Sequence, residues 1–513
     1  MLSANGLTTM DPSEAYYTNT SSILSGLVIR SLTQYVYDPD AQAMVLIPDL
    51  ATDLGDHNKD YTEWKFTIRE GVKYEDGTEV TPEDVRYGLL RSMDRAAFPT
   101  GASYSNEYFA GGAKYEGPIT SGSSDFPGIT VDGRDVTISM AKPFPDMPYW
   151  SAFPAISPMP EQSNKPAEYA LHPLATGPYK FDEYRPGESL RLVRNDQWDA
   201  ATDPGRHAYP DGYSFEFTED SSQIDQLILS DQGDSQSTLT YDNLLTADFR
   251  AAQTDASDRL VVGGNPCTFF WWPDYRKITD VNVRKAIGLA YPYKDAWLAG
   301  GEIVGVTRVP GGSIMPPGIP GKPSYDVLGI AGENTDVQQA HTLLEEADAV
   351  GYKIEWLYAT DDPNSVAVMK EVKSSLEDAG FTAAPVASTI NRIPDQRSDP
   401  DFPINVRASG WCSDWPSGGS WMPPLFQTNG SNNYAQFSEQ AVDDEIARIQ
   451  SEVPLADQPA AWGALDQQIE EDYYPAVITG YAGVAMLHGS GINGMNNDDV
   501  LGMPTWKDMS ITQ

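Results

Sequence analysis

Polar and apolar positions divide this chain into short, well-marked elements. Trp64, Phe66 and Ile68 alternate with Lys65, Thr67 and Arg69, the period of a half-buried strand. Asp76-Gly77 then supplies a tight turn. Thr81-Pro82-Glu83-Asp84 predicts a helix start, with Thr81 as N-cap, Pro82 in the first turn and Asp84 closing a capping box. Val85, Leu89 and Met93 form the apolar stripe of that helix. Gly, Ser and Pro crowd residues 111–128, which predicts surface loops. Strands are expected at Val131–Met140, Ser189–Val193 and Tyr213–Phe217.

The second half alternates element types. Asp280 is placed to cap a helix faced by Val283, Ala286, Ile287 and Ala290. Tyr352–Tyr358 predicts a strand, and Ser365–Ala379 a helix on Val368, Val372 and Leu376, stopped by Gly380. Strands follow at Thr382–Ala387 and Ile404–Arg407. Strand, helix and strand at this spacing imply a parallel, right-handed unit. Two more helices carry Val442, Ile446, Ile449 and Trp462, Leu465, Ile469, before a β-like run at Tyr474–Met486. No internal repeat is visible. Two α/β lobes separated by a cleft fit this layout. The chain enters the second lobe near Cys267 and leaves near Tyr481, so two crossing strands would form a hinge.

Length and charge narrow the picture. A chain of 513 residues exceeds one core, so two or three domains are expected. No apolar run approaches the roughly 20 residues of a membrane helix. The net charge of −40, from 74 acidic and 34 basic residues, argues against a nucleic-acid partner, which needs clustered cations. The acidity serves solubility or attracts cationic ligands; spread along the chain, it does not choose. The opening Met-Leu-Ser-Ala-Asn-Gly lacks the basic start and apolar segment of a secretory leader. That leaves a cytoplasmic protein or a mature form, and later residues favour the second. Two cysteines, Cys267 and Cys412, permit one disulfide and exclude a cysteine-rich metal site.

Catalytic patterns are sparse. The five histidines form no His-Glu-x-x-His pair, and no Gly-x-Ser-x-Gly elbow occurs. Gly321-Lys322 is followed by Pro323, so it is not a phosphate loop. Gly489, Gly491 and Gly494 match dinucleotide spacing, but Asn496-Asn497-Asp498-Asp499 follows in place of a helix, so a loop is expected. No cofactor, metal or catalytic residue is expected. The densest chemistry lies in Arg407 to Pro416, which holds one cation, two tryptophans, a cysteine and Asp414. A carboxylate enclosed there needs a partner, and a ligand ammonium would be one. This stretch is expected to wall a binding cleft.

Several segments resemble a known family, the large solute-binding proteins of ABC importers (family 5), and most of all its oligopeptide-binding members. Trp64 to Val85 resembles the family signature. Thr176-Gly-Pro-Tyr-Lys180 and Val281 to Ile287 match two further motifs. Arg407 to Asp414 resembles the ligand-strand motif with one extra residue, either Ala408 or Ser409. The resemblance implies a two-lobed α/β binding-protein fold with two hinge crossings: lobe I from residues 1–39, 153–266 and 482–513, a subdomain inserted at 40–152, and lobe II from 267–481. It implies an extracytoplasmic receptor, commonly lipid-anchored, that binds a short peptide without altering it and delivers it, as a monomer, to a membrane permease. Cys267 and Cys412 match a pair bridged in some members; the alternative is two buried thiols.

The resemblance also suggests residue roles. Ser409, Gly410, Trp411 and Cys412 would offer a main-chain edge to an extended ligand. Asp414 would hold the ligand's α-ammonium, or else cap a turn. Arg407 would meet a ligand carboxylate or a structural acid. Trp411, Trp415, Phe270 and Trp272 would line side-chain pockets, although alternate members of Phe269–Trp272 must face a core. Tyr104, Tyr108 and Tyr481 resemble ligand-reaching positions, and Ser31, Leu32 and Thr33, after Arg30, would form the first-lobe edge. An oligosaccharide or nickel-chelate receptor of the same fold, or a secreted hydrolase, are the rival readings.

Overall fold

The structure, a computed structural model, describes residues 1–512 and divides into two compact units. The first comprises Met1–Val262 and the chain from Ala485 onward; the second is Gly263–Val484. Both boundaries fall inside long strands, Leu260–Pro273 and Val477–Leu487.

Among the described residues the first unit holds five small antiparallel sheets, three of them before residue 262. Thr33–Asp38 pairs with Ala43–Pro48. Glu63–Thr67 is central to a four-stranded sheet with Asp56–His57, Asp135–Ser139 and Ile129–Asp132. Tyr179–Arg185, Ser189–Arg194 and Gly212–Glu216 make the third. The single strand expected at 131–140 is a hairpin, because Asp132-Gly133-Arg134 turns the chain back on itself. Helix Pro82–Ser92 begins with the expected reciprocal cap: Thr81 Oγ1 accepts from Asp84 N–H, and the Asp84 carboxylate accepts from Thr81 N–H.

The second unit is organised by a four-stranded sheet ordered Arg308–Val309, Val477–Leu487, Leu260–Pro273, Val406–Cys412. Side chains alternate across it, and each face carries its own core. One core contains Trp271, Ile287, Trp297, Trp356 and Leu376. The other contains Phe270, Trp272, Trp421, Ile446 and Trp462. Asp280 caps Val281–Ala290 as expected. Pro363–Asp378 ends at Gly380, whose φ of 100° suits glycine. Around that helix, Lys353–Ile354 pairs parallel with Thr382–Ala383, and Leu357–Ala359 with Val386–Ser388. The strand read at Ile404–Arg407 instead runs from Val406 to Cys412, because its pairing with Leu260–Pro273 continues to the disulfide. Cys267 and Cys412 stand directly opposite across that pair, with Cα atoms 3.9 Å apart, and are bridged.

Buried acids set a pH response. Burial raises Asp466 to about 6 against hydrogen bonds from Tyr325 and from the N–H groups of Met315 and Ile314. Burial likewise raises Asp225 to about 6 and Asp498 to about 7, and it raises Glu470 well above its ordinary value, with repulsion from Asp466 second. A carboxyl that binds its proton more tightly when folded penalises folding at neutral pH. That penalty fades as pH falls through the folded pKa and is gone below the unfolded value near 4. His172, raised by its bond to Glu75, works the same way; His488, lowered by burial, works against it. Burial lowers Lys507 to about 7, so its effect lies mostly above pH 7. Asp203 is opposed by burial but held low by Arg206 and Arg30, and its contribution is lost only in stronger acid. The melting temperature is therefore expected to rise from pH 7 to pH 5. A flat or falling curve by scanning calorimetry contradicts this.

Candidate functional site

The strand Val406–Cys412 lies at the edge of its sheet, and no strand pairs with its outer side among the described residues. Its inner side pairs antiparallel with Leu260–Pro273, from Cys267 opposite Cys412 to Pro273 opposite Val406. Ser413 N–H donates to Pro266 O and Asp274 N–H to Asn405 O, both at 2.8 Å. In an antiparallel ladder the inward-bonding residues recur every second position. Residues 405, 407, 409, 411 and 413 therefore turn their main chain inward. Ala408, Gly410 and Cys412 turn theirs outward, and all three are exposed. At the start of that edge, Val406 N–H donates to Glu355 O, and Arg397 Nη1 reaches Ala408 O at 3.4 Å.

Gly410 fits closely against its neighbour. A Cβ there would lie 3.0 Å from the ring of Phe269, its cross-strand partner. The Arg308 guanidinium lies over that ring, 3.5 Å from its centroid. Phe269, Trp271, Ala408 and Gly410 border a cavity of about 540 Å³. Asp414 follows the strand in a half-buried bend.

The structure places the sequence candidates unevenly. Ser409, Gly410, Trp411 and Cys412 form the half-buried to exposed edge, and Trp411 anchors it by donating Nε1–H to Ser420 O at 2.9 Å. Arg407 is 1% exposed and committed inward. It bonds Asp274 at 3.1 Å and the carbonyls of Arg397, Asp399 and Pro400, so of its two expected roles it takes the structural one. Burial pushes Asp274 up, but hydrogen bonds from Arg276 and Arg407 and the charges of Arg276 and Lys277 leave it below the usual carboxylate range.

Phe270 and Trp272 turn their side chains away from the cavity face. Their rings belong to the core beneath the sheet, with Trp272 at 0% exposure, and Phe269 and Trp271 are the strand's aromatics on the cavity face. Trp415 is buried at 2%. Tyr481 is buried, and its hydroxyl bonds Ser313 N–H, Oγ and carbonyl within 2.9 Å, so it braces the loop at Gly311–Ser313.

In the first unit, Ser31, Leu32 and Thr33 are buried and do not form an open edge. Ser31 and Thr33 hydroxyls donate to Phe153 O and Pro148 O, and Ser31 and Leu32 carbonyls accept from Leu50 and from Asp49 and Ala51. Tyr108 is buried beneath Lys142 and stacks on Phe144; Tyr104 is half-buried against Tyr108 and Trp150. Sequence reasoning missed Arg397, Arg308, Glu302 and Asp362. They lie on other elements and carry no local motif.

An open main-chain edge, flanked by an aromatic cavity and followed by a carboxylate, is equipped to hold a ligand. It defines a binding protein. The chain belongs to the bacterial extracellular solute-binding proteins, family 5, whose middle-region model matches residues 45–433. The family is one of receptors rather than enzymes, and it acts outside the cytoplasm. Among curated relatives, the periplasmic oligopeptide-binding protein OppA of Salmonella typhimurium is 24% identical over 437 residues, 81% of this chain and 76% of its own. OppA of Escherichia coli K12 is 24% identical over 479 residues, 89% and 83% of the two chains.

Solved structures share the two-lobed fold. The clavulanic acid biosynthesis oligopeptide binding protein 2 superposes with a TM-score of 0.90 at 22% identity, over 100% of this chain and 95% of its own. Haemophilus influenzae OppA, in complex with RPPGFSPFR, gives 0.71 at 18% over 100% and 98%.

Proposed function

We propose that this protein is the receptor of an ABC importer for short peptides, which add as an extra strand to the outer edge of Val406–Cys412. The observation that carries this reading is the outward-facing main chain of Ala408, Gly410 and Cys412 beside Asp414. Strand addition supplies affinity through main-chain hydrogen bonds that every peptide can make, leaving side chains to set preference. Asp414 takes the α-ammonium. A ligand starting there and following the edge runs antiparallel to it, towards Arg397. From Asp414 to Ala408 the edge spans about 20 Å at ~3.4 Å per residue, the reach of a peptide of about five or six residues. Arg397 is placed to receive the terminal carboxylate, the role Arg407 gives up to Asp274. Relatives named for oligopeptide binding support the same reading. The receptor works as a monomer, lipid-anchored at the cell surface or in the periplasm, and passes its ligand unaltered to a permease.

Titration calorimetry with tri- to hexapeptides and with cello-oligosaccharides tests this. Peptides are expected to bind and be recovered intact, and native mass spectrometry of the purified protein is expected to show trapped peptide. Sugar binding without peptide binding overturns the reading.

A further inference from the structure

We propose that the cavity beside the edge strand is a side-chain subsite that selects lysine or arginine in the bound peptide. The inference rests on the peptide reading above and adds what that site selects.

Geometry fixes which ligand side chains arrive there. Residues directly opposite across an antiparallel pair point to the same face. Phe269 stands opposite Gly410 and Trp271 opposite Ala408, so this set shares one face of the sheet. The cavity opens on that face and is bordered by Ala408, Ser409 and Gly410. A ligand residue added opposite Gly410 or Ala408 sends its side chain to the cavity. Its two chain neighbours send theirs to the other face.

Volume does not select here. About 540 Å³ exceeds what any one side chain fills, so water accompanies whatever enters. Charge selects instead. Arg308, Glu302 and Asp362 line the space, two carboxylates against one cation. The cation is already engaged: the Arg308 guanidinium lies over the Phe269 ring, and its Nη2 bonds Glu302 Oε1 at 2.5 Å. The second Glu302 oxygen accepts from Thr307 Oγ1 at 2.7 Å. Asp362 caps the following helix, its Oδ1 accepting Asn364 N–H at 3.0 Å, which leaves its negative charge uncompensated by a side-chain cation among the ion pairs of the described residues.

A lysine or arginine entering this space lays its aliphatic stem along the aromatic wall, which includes Trp297, and brings its charge to Asp362 and Glu302. A glutamate meets two like charges and a guanidinium that is occupied. The −40 charge of the whole chain acts in the same direction.

The test uses a pentapeptide series with an alanine background and free termini, carrying lysine, glutamine or glutamate at each position in turn. Affinities are measured by calorimetry for the wild type, Asp362→Asn and Glu302→Gln. Lysine is expected to bind about tenfold tighter than glutamate, roughly one charge pair, and only at alternate ligand positions. Asp362→Asn keeps a capping oxygen and is expected to bring that ratio to about threefold or less. Glu302→Gln releases Arg308 and is expected to shift the preference towards glutamate. Peptides that bind with no charge preference at any position overturn the subsite while leaving the peptide reading intact, and so does a wild-type preference for glutamate. If no peptide in the series binds, the peptide reading fails and the subsite fails with it.

Discussion

Replacing Gly410 with proline is expected to abolish peptide binding while the second unit stays folded. Gly410 turns its N–H away from Leu260–Pro273, so proline removes no hydrogen bond from the sheet. Edge positions with an outward N–H are where strands accept proline. For the ligand the change is severe. A donor is lost at the middle of the edge, and the ring occupies the space in which the ligand main chain would lie. An affinity loss of more than about 100-fold is expected, beyond what a single lost hydrogen bond explains. Gly410→Ala separates the causes. It brings the same Cβ to within 3.0 Å of Phe269 but keeps the N–H, and it should lose far less affinity than proline. Equal losses in the two variants would place the effect in the crowding of Phe269 and contradict strand addition. Calorimetric titration, with thermal melts to confirm folding, gives the answer.

Asp414→Asn is the second large effect. If Asp414 receives the α-ammonium, the variant keeps the shape of the site and loses one charge of a pair. Truncating one partner of an enclosed pair costs on the order of 2–5 kcal/mol, so free-amine peptides should bind about 30-fold to several thousandfold more weakly. N-acetylated peptides carry no ammonium. They should bind the wild type weakly and the variant no worse. Unchanged affinity for free-amine peptides would remove Asp414 from the ligand and leave it as the cap of its bend.

Local signals were legible in the sequence. The capping box at Thr81–Asp84, the N-cap at Asp280 and the stop at Gly380 depend on neighbours within a few residues, and each forms as expected. The pairing of Cys267 with Cys412 came from the family pattern and coincides with the strand register. Other features depend on which residues meet across long separations. Phe269, Phe270, Trp271 and Trp272 are all aromatic, so alternation carries no contrast from which to tell the open face from the core. Arg407 looked available for a ligand because its partner, Asp274, lies 133 residues away. The cavity charges, Glu302, Arg308 and Asp362, converge from separate elements and have no shared spacing. The edge itself was half legible. Its glycine and its course from Ser409 to Cys412 before Asp414 could be read from the family pattern, but which of its residues turn outward and its free outer side are products of the sheet register and order.

Amide hydrogen exchange across residues 406–414, with and without saturating peptide, bears most directly on strand addition. Ala408, Gly410 and Cys412 should exchange quickly in the free protein and slow markedly when peptide is bound, while Ser409 and Trp411, already bonded inward, change little. Peptide that binds tightly yet leaves those three amides as fast as before would show that the ligand sits elsewhere.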